Sequence, residues 1–178
     1  MWKHDAMAVT LQFSDPRIAL RPASSDDDAF LRRVYASTRE AELALTDWGD
    51  EAKRSFVDMQ YSAQQQAYSG YANAECFVVL HNAEPVGRLY LQYGAETLSI
   101  VDLSLLTAWR GVGIGSAILS ALLGRAKAEG KAVRMHVEKL NPALRLYQRH
   151  GFCPIEDRGV YLLLEWRAEI TPSLQIRT

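Results

Sequence analysis

Residues Ser99–Gly115, SIVDLSLLTAWRGVGIG, decide the reading of this chain. The stretch opens as an apolar run and closes on three alternate glycines, Gly111, Gly113 and Gly115. From its last residues onward, Ile114, Ala117, Ile118, Ala121 and Leu122 recur at helical spacing. Strand, glycine loop and helix in that order favour a phosphate ligand. Glycines let the backbone turn tightly and approach a ligand closely. The first N–H groups of a helix lack intrahelical partners and carry partial positive charge.

The 178 residues suit one ordinary domain with a substantial core. A formal net charge of -1 gives no reason to expect a nucleic-acid or membrane partner. The charge is nevertheless uneven. Between Trp109 and His150 stand eight Lys or Arg (Arg110, Arg125, Lys127, Lys131, Arg134, Lys139, Arg145, Arg149) against Glu129 and Glu138, a net +6. This is either a solvated helix surface or a field that attracts a polyanionic small molecule. Cys76 and Cys153 form no CxxC pair, and no His cluster has metal-ligand spacing, so no metal and a reducing compartment are expected. The start, MWKHDAMAVTLQF, lacks a long apolar segment, and no run is long enough to span a membrane. The expected location is the cytoplasm.

Taken in order, residues 1–15 read as an arm, 16–167 as one domain and 168–178 as a polar tail. Arg17–Arg21 alternates as a short strand that Pro22 breaks. Ser24 with Asp26, Asp27 and Asp28 marks a helix start. That helix turns Phe30, Leu31, Val34 and Tyr35 inward and runs towards Leu45. A second helix spans about Glu51–Tyr68, with Phe56, Met59 and Ala63 spaced for one face. The two helices either pack on the core or wall a substrate site. Glu75–His81, Pro85–Tyr93 and Thr97–Leu106 read as an antiparallel meander. The glycine-loop helix ends near Glu129, with Gly130 as its stop. Lys131–Glu138 is a strand that returns parallel to 97–106. Asn141–Pro142 opens a last helix that stops at Gly151. Phe152–Glu156 and Val160–Trp166 close the sheet as a hairpin about Asp157–Gly159. The fold class is α/β with a mixed sheet.

Three phosphate binders compete. A Walker A loop fails, because Gly124–Lys131 has one residue too many between its glycines and Ala132 after the lysine. A dinucleotide fingerprint misses its third glycine by one position, although Glu138 could imitate the ribose-binding acid. Too little chain follows Gly115 to complete such a fold. The third candidate fits. Arg110-Gly-Val-Gly113-Ile-Gly115 matches the [QR]xxGx[GA] loop of the GNAT superfamily of acyl-CoA-dependent N-acyltransferases. Asn141-Pro-Ala-Leu-Arg-Leu-Tyr147-Gln-Arg-His-Gly151-Phe152 resembles the same family's second signature, one helix and one strand later. The resemblance follows Arg17–Trp166 in element order, with its specific residues in Leu103–Phe152.

The resemblance implies a mixed, mostly antiparallel sheet with helices on both faces and a parallel pair splayed at the cofactor site. It implies acetyl-CoA as co-substrate, with pyrophosphate on the N–H groups of Arg110, Gly111, Val112, Gly113, Ile114, Gly115 and Ser116. The pantetheine arm would pair with the backbone of Leu103, Ser104 and Leu105, and Asn141 and Tyr147 would also touch the cofactor. Asn141 is equally well placed as a helix cap. By the same resemblance Tyr147 protonates the departing thiolate; the alternative is a core tyrosine. An ammonium of pKa about 10 must lose a proton near neutral pH, so a base or a water chain is required. Some relatives carry a Glu early in the strand before the loop, where Ser99 stands here, with Asp102 the nearest acid. Others carry a Glu on the strand ahead of the Asn, where His136 and Glu138 share one face. Asp102 could instead be a structural hydrogen-bonding residue. The implied activity is transfer of an acetyl group to a primary amine by direct attack in a ternary complex. The acceptor is a small-molecule or peptide amine, and a homodimer is compatible with the reading. A non-catalytic acyl-CoA sensor or scaffold is the alternative, a dinucleotide-binding protein the outsider.

Overall fold

A computed structural model describes residues 11–168. The chain runs β1 (Ile18–Pro22), α1 (Asp28–Leu43), α2 (Asp50–Ser69), β2 (Ala74–His81), β3 (Glu84–Tyr93) and β4 (Thr97–Leu105). It continues with α3 (Ile114–Ala128), β5 (Ala132–Glu138), α4 (Leu144–Arg149), β6 (Cys153–Arg158) and β7 (Tyr161–Trp166). The strands form one sheet in the order β1-β2-β3-β4-β5-β7-β6. Every neighbouring pair is antiparallel except β4 with β5. This is the mixed, mostly antiparallel sheet that the sequence implies. A single parallel pair does not provide the run of parallel strands on which a dinucleotide-binding fold is built.

Alternation along the strands sends side chains to two cores. Leu89, Leu91, Leu98, Ile100, Val133 and Met135 pack with Ile118, Leu119 and Leu122 of α3. Val78 and Tyr90 pack with Leu31 and Tyr35 of α1 and Val57 and Tyr61 of α2. Leu11 and Phe13 rest against the first core. At the head of α1, Ser24 and Asp27 form a reciprocal capping box.

Two features of β4 shape the site. Tyr90 pairs with Asp102 and Leu91 with Ile100, so Val101 is the extra residue of a bulge. On the other edge, β4 and β5 pair only from Thr97 with Ala132 to Ile100 with Met135. Beyond that point Val101–Leu105 and His136–Glu138 part, while each stays laddered to its outer neighbour, β3 or β7. Opposite the far end of β4, Gly87 lies against Leu105. A Cβ there would run into the Ser104 carbonyl oxygen and stand 2.6 Å from Leu105 Cδ2.

Behind the bulge is a buried ion pair between Arg88 of β3 and Asp102 of β4, with side chains 3% and 14% exposed. Arg88 also donates to Gln64 Oε1 at 2.7 Å, and Ser104 Oγ donates to Asp102 Oδ1 at 2.6 Å. Burial alone would depress the guanidinium; Asp102 reverses this and holds it above its ordinary value.

Several local expectations are corrected. Pro22 does not break β1; it pairs with Phe77, which a proline tolerates on an edge strand. The first helix stops at Leu43, leaving Leu45 89% exposed. The inward face of α2 is Val57 and Tyr61, whereas Met59 is 58% exposed, Ala63 is exposed and Phe56 sits edge-on to Trp48 at 5.4 Å. The reason is the polar pair beneath: the buried face must offer Arg88 an acceptor, and Gln64 lies two turns on from Val57. The last helix proper begins at Leu144, with Asn141–Ala143 as a turn before it. The closing hairpin turns at Gly159–Val160, one residue later than expected. Residues 1–10 of the expected arm and 169–178 of the expected tail lie outside the described residues.

This packing can be tested at two places. Gly87→Ala should destabilise by about 1–3 kcal/mol through overpacking, whereas Gly124→Ala, in open space on α3, should stabilise by about 0.4–1 kcal/mol. Arg88→Met, which strands the Asp102 charge, should cost about 3–5 kcal/mol, and adding Asp102→Leu should recover much of that loss. Urea unfolding of the four variants measures all of these effects.

Candidate active site

The glycine loop is held from behind by side chains and left open in front. After β4 a short 3-10 turn, Thr107–Trp109, leads into Arg110. Arg110 Nε donates to Leu105 O at 2.8 Å, and its NH2 donates to Ser37 O and Ser37 Oγ at 2.9 and 3.0 Å. Thr107 Oγ1 donates to Glu40 Oε2 at 3.0 Å, and Trp109 packs tilted against His81 with ring centroids 4.8 Å apart. The signature arginine therefore ties the loop to β4 and α1. Gly111 and Gly113 have φ of 75° and 96°, a region that a Cβ makes costly. No atom lies within 4 Å of where either Cβ would be, so the front of the loop is free space.

The first N–H of α3 to close a helical bond is that of Ala117, to Gly113 O at 3.0 Å. Those of Ile114, Gly115 and Ser116 precede the ladder and point out of the helix start. Gly115 lets α4 come close: its Cβ would stand 3.4 Å from Leu146 Cδ2. On α3 the Ser116 hydroxyl is 2.8 Å from His150 Nε2. Sequence reasoning misses His150, whose only signal is a place beside Arg149 and ahead of Gly151-Phe152. Burial, then Arg149, lowers the His150 pKa from its ordinary value.

Along β4, Leu103 and Leu105 turn towards α3, and Ser104 turns with Asp102 towards α1 and α2. The β3 ladder occupies one backbone edge of Leu103–Leu105; the other faces the gap. Across it, His136 and Glu138 share the face of Asp102. The pairs Tyr90–Asp102, Gln92–Ser99 and Ser99–Arg134 fix this relation, since Arg134, His136 and Glu138 alternate with buried Val133, Met135 and Val137. His136 Nε2 is 2.9 Å from Arg158 NH1, and its pKa is lowered by burial and by Arg158. The Tyr161 hydroxyl donates to Glu138 Oε1 at 3.4 Å.

Tyr147 is 7% exposed, edge-on to Phe152 with centroids 6.1 Å apart, and belongs to the α3-side core. Its hydroxyl pKa is pushed up to about 12, by burial first and then by the Asp102 charge. It is thus a protonated donor at neutral pH, within electrostatic reach of Asp102. Asn141 Oδ1 accepts from the Ala143 N–H at 2.8 Å, capping the turn ahead of α4. The sequence suggests a cap on the helix itself, but that helix starts at Leu144 with Ala143 in the N-cap position.

The basic stretch is partly neutralised. Arg125 and Lys131 pair with Glu129, Arg134 with Glu165 and Lys139 with Asp157. Among the described residues Lys127, Arg145 and Arg149 keep no ion pair, and the latter two are on the helix that carries Tyr147 and leads into His150. Among the described residues no group of His, Cys, Asp and Glu is arranged to hold a metal ion, and no helix is long and apolar enough to cross a membrane. A groove of about 600 Å³ runs between α1 and α2, lined by Arg33, Leu43, Lys53, Arg54 and Val57 among others; none of the residues discussed for catalysis or cofactor binding lines it.

The fold recurs in solved structures. The PaiA N-acetyltransferase of Thermoplasma acidophilum, crystallised with coenzyme A, is similar at TM-score 0.65 and 18% identity over 85% of this chain and 99% of that one. An acetyltransferase of Thermus thermophilus gives 0.63 and 22% over 85% and 97%. Arabidopsis thaliana Naa50, in complex with the bisubstrate analogue CoA-Ac-MVNAL, gives 0.55 and 16% over 85% and 99%. These likenesses show the fold. Among curated proteins no significant sequence match is found. The decisive finding is a family model, the Acetyltransferase (GNAT) family, that matches residues 39–152. That span reaches from the α1 residues beside the glycine loop through β4, the loop and Tyr147 to Phe152, well over half the chain, and this protein therefore belongs to the GNAT family of acetyltransferases.

Proposed function

We propose that the protein transfers an acetyl group from acetyl-CoA to a primary amine by direct attack in a ternary complex, and that residues 16–167 form the one catalytic domain. The observation that carries this reading is the opening between β4 and β5, which ends at the glycine loop. On this reading the N–H groups of Ile114–Ser116 and the open front of Arg110–Gly113 receive the pyrophosphate, and the free edge of Leu103–Leu105 receives the amides of the pantetheine arm. The capping bond of Asn141 leaves its amide NH2 available to the same arm.

The amine nitrogen attacks the thioester carbonyl carbon, the C–S bond breaks, and the thiolate takes the Tyr147 proton. A tyrosine whose pKa is raised to about 12 is still protonated when the thiolate departs. Asp102 faces the same space, but its charge is already engaged by Arg88 and Ser104. His136 and Glu138 carry no such buried cation, and they are the residues we assign to receive the amine proton, directly or through water. Leu140 and Val160, 95% and 67% exposed, stand with Tyr161 beside Glu138 and give the rest of a small-molecule or peptide acceptor an apolar rim. The proposed setting is the reducing cytoplasm, in which Cys76 and Cys153 remain free thiols.

Free-thiol release from acetyl-CoA, followed across a library of amines, tests the activity directly. With an acceptor in hand, Tyr147→Phe should lower kcat by roughly 10²–10⁴-fold while the KM for acetyl-CoA and the melting temperature stay nearly unchanged. A variant that melts earlier but turns over normally would return Tyr147 to a packing role. A base acts only when unprotonated, so kcat/KM should rise with pH through a pKa below the ordinary 6.5 of His136. His136→Gln should remove that limb; a limb that persists there and vanishes in Glu138→Gln assigns the role to Glu138.

A further inference from the structure

The pair Ser116–His150 lies where the proposed cofactor site meets α4, and the acyl-transfer signatures leave His150 without a role. The imidazole is firmly placed. The His150 backbone N–H donates to Leu146 O and Tyr147 O at 3.2 and 3.0 Å, and the close approach at Gly115 seats this helix end on α3. Ser116 is the third residue of α3, so its N–H and its hydroxyl both sit at the unladdered start of the helix.

We propose that His150, acting through Ser116, makes pyrophosphate binding proton-linked, so that the cofactor binds more tightly as the imidazole takes up a proton. This rests on the assignment of the glycine loop to acyl-CoA. The hydrogen-bond logic is simple. A neutral imidazole with a bare Nε2 accepts the Ser116 O–H and turns it away from the loop. Protonation makes Nε2 a donor whichever tautomer preceded it. Ser116 Oγ must then accept, and its O–H is released towards the front of the loop, where a phosphate oxygen can take it. The imidazolium adds a positive charge one side chain away from that oxygen.

The charged surroundings fit such a switch. Burial first, and then Arg149, the charged group on α4 acting on the imidazole, shift the free protein's His150 towards its neutral form. Helix α3 offers no charge before Arg125. In the loop the Arg110 guanidinium is committed to Leu105 O and Ser37. No carboxylate among these elements raises the imidazole pKa, so an incoming anion is the group that would. His150 is thus a positioning residue for Ser116, and its signature is a proton count rather than a rate.

Titration calorimetry with 3′-dephospho-CoA tests this, because that probe keeps the pyrophosphate and lacks the monoester that itself titrates near pH 6. Run between pH 5.5 and 8 in buffers of different ionisation enthalpy, it reports protons taken up on binding. We expect net uptake in the wild-type protein and about tenfold tighter binding at the acid end, the effect of one pKa unit. His150→Gln should bind with no uptake and a flat profile. Wild-type binding without proton uptake, or equal uptake in His150→Gln, overturns the proposal and leaves the cofactor site standing. If neither CoA nor dephospho-CoA binds the wild-type protein, the site assignment itself falls and takes this inference with it.

Discussion

The structure turns on the early parting of β4 and β5. Inside a sheet, each strand normally satisfies the backbone groups of both neighbours, and leaving an edge unpaired in the middle of a sheet is costly. Here the ladder stops after Ile100–Met135, with five residues of β4 still to come. The bulge at Val101 supplies the bend, since an extra residue on one strand increases its local twist. What keeps the freed edge from collapsing is packing on both faces. Leu103 and Leu105 are anchored towards α3, and Asp102 and Ser104 are anchored towards α1 and α2. The result is a gap between the two strands with one backbone edge of β4 unladdered, the place the proposed function gives to an extended ligand with its own amides.

The buried pair Arg88–Asp102 is the most expensive part of that arrangement and explains features that hydrophobicity does not. Two charges removed from water need hydrogen bonds as well as each other. Gln64 of α2 and Ser104 of β4 supply them. Tyr35 lies under the guanidinium with its ring centroid 5.9 Å away, and Tyr61 packs on Tyr35. The second helix therefore turns a tyrosine and glutamine face to the sheet and leaves Met59 to solvent. The oxygens of this carboxylate are already taken by Arg88 and Ser104, so the proposed proton path runs along β5 instead.

What is legible in one dimension follows a physical division. Element order, the meander and the crossover can be read, because alternation and glycine punctuation leave marks along the chain, whereas the splayed pair comes only through the family resemblance that the signature loop carries. Gly111 and Gly113 are legible because their positive φ disfavours any side chain. The α2 face misleads because apolar spacing counts Phe56, Met59 and Ala63 and is blind to a buried arginine on β3. The strand at Pro22 misleads because a proline cannot announce whether its strand is an edge. His150 is invisible since its partner, Ser116, lies on another helix, and the pairing depends on how closely Gly115 lets the two approach. The +6 stretch overstates the field because its acids are brought in from elsewhere, Glu165 and Asp157 among them.

That division bears on where specificity is written. On the proposed reading, the cofactor end is made from peptide N–H groups, a helix start and glycines, with the signature arginine used to brace the loop from behind. Backbone does not vary with side-chain identity, so such a site tolerates wide sequence change. The acceptor end is the opposite case. It is made of side chains on the open face of β5, β6 and β7, where β6 is exposed along its whole length and His136, Arg158, Glu138 and Tyr161 bond to one another in pairs. Few of these positions are constrained by packing, so each can change without unfolding the sheet. On the proposed reading, a mixed rim, with cation and carboxylate alongside apolar Leu140 and Val160, would suit an amine attached to a moderately apolar body better than a highly charged acceptor. The residues that would choose that body are those the fold itself does not need.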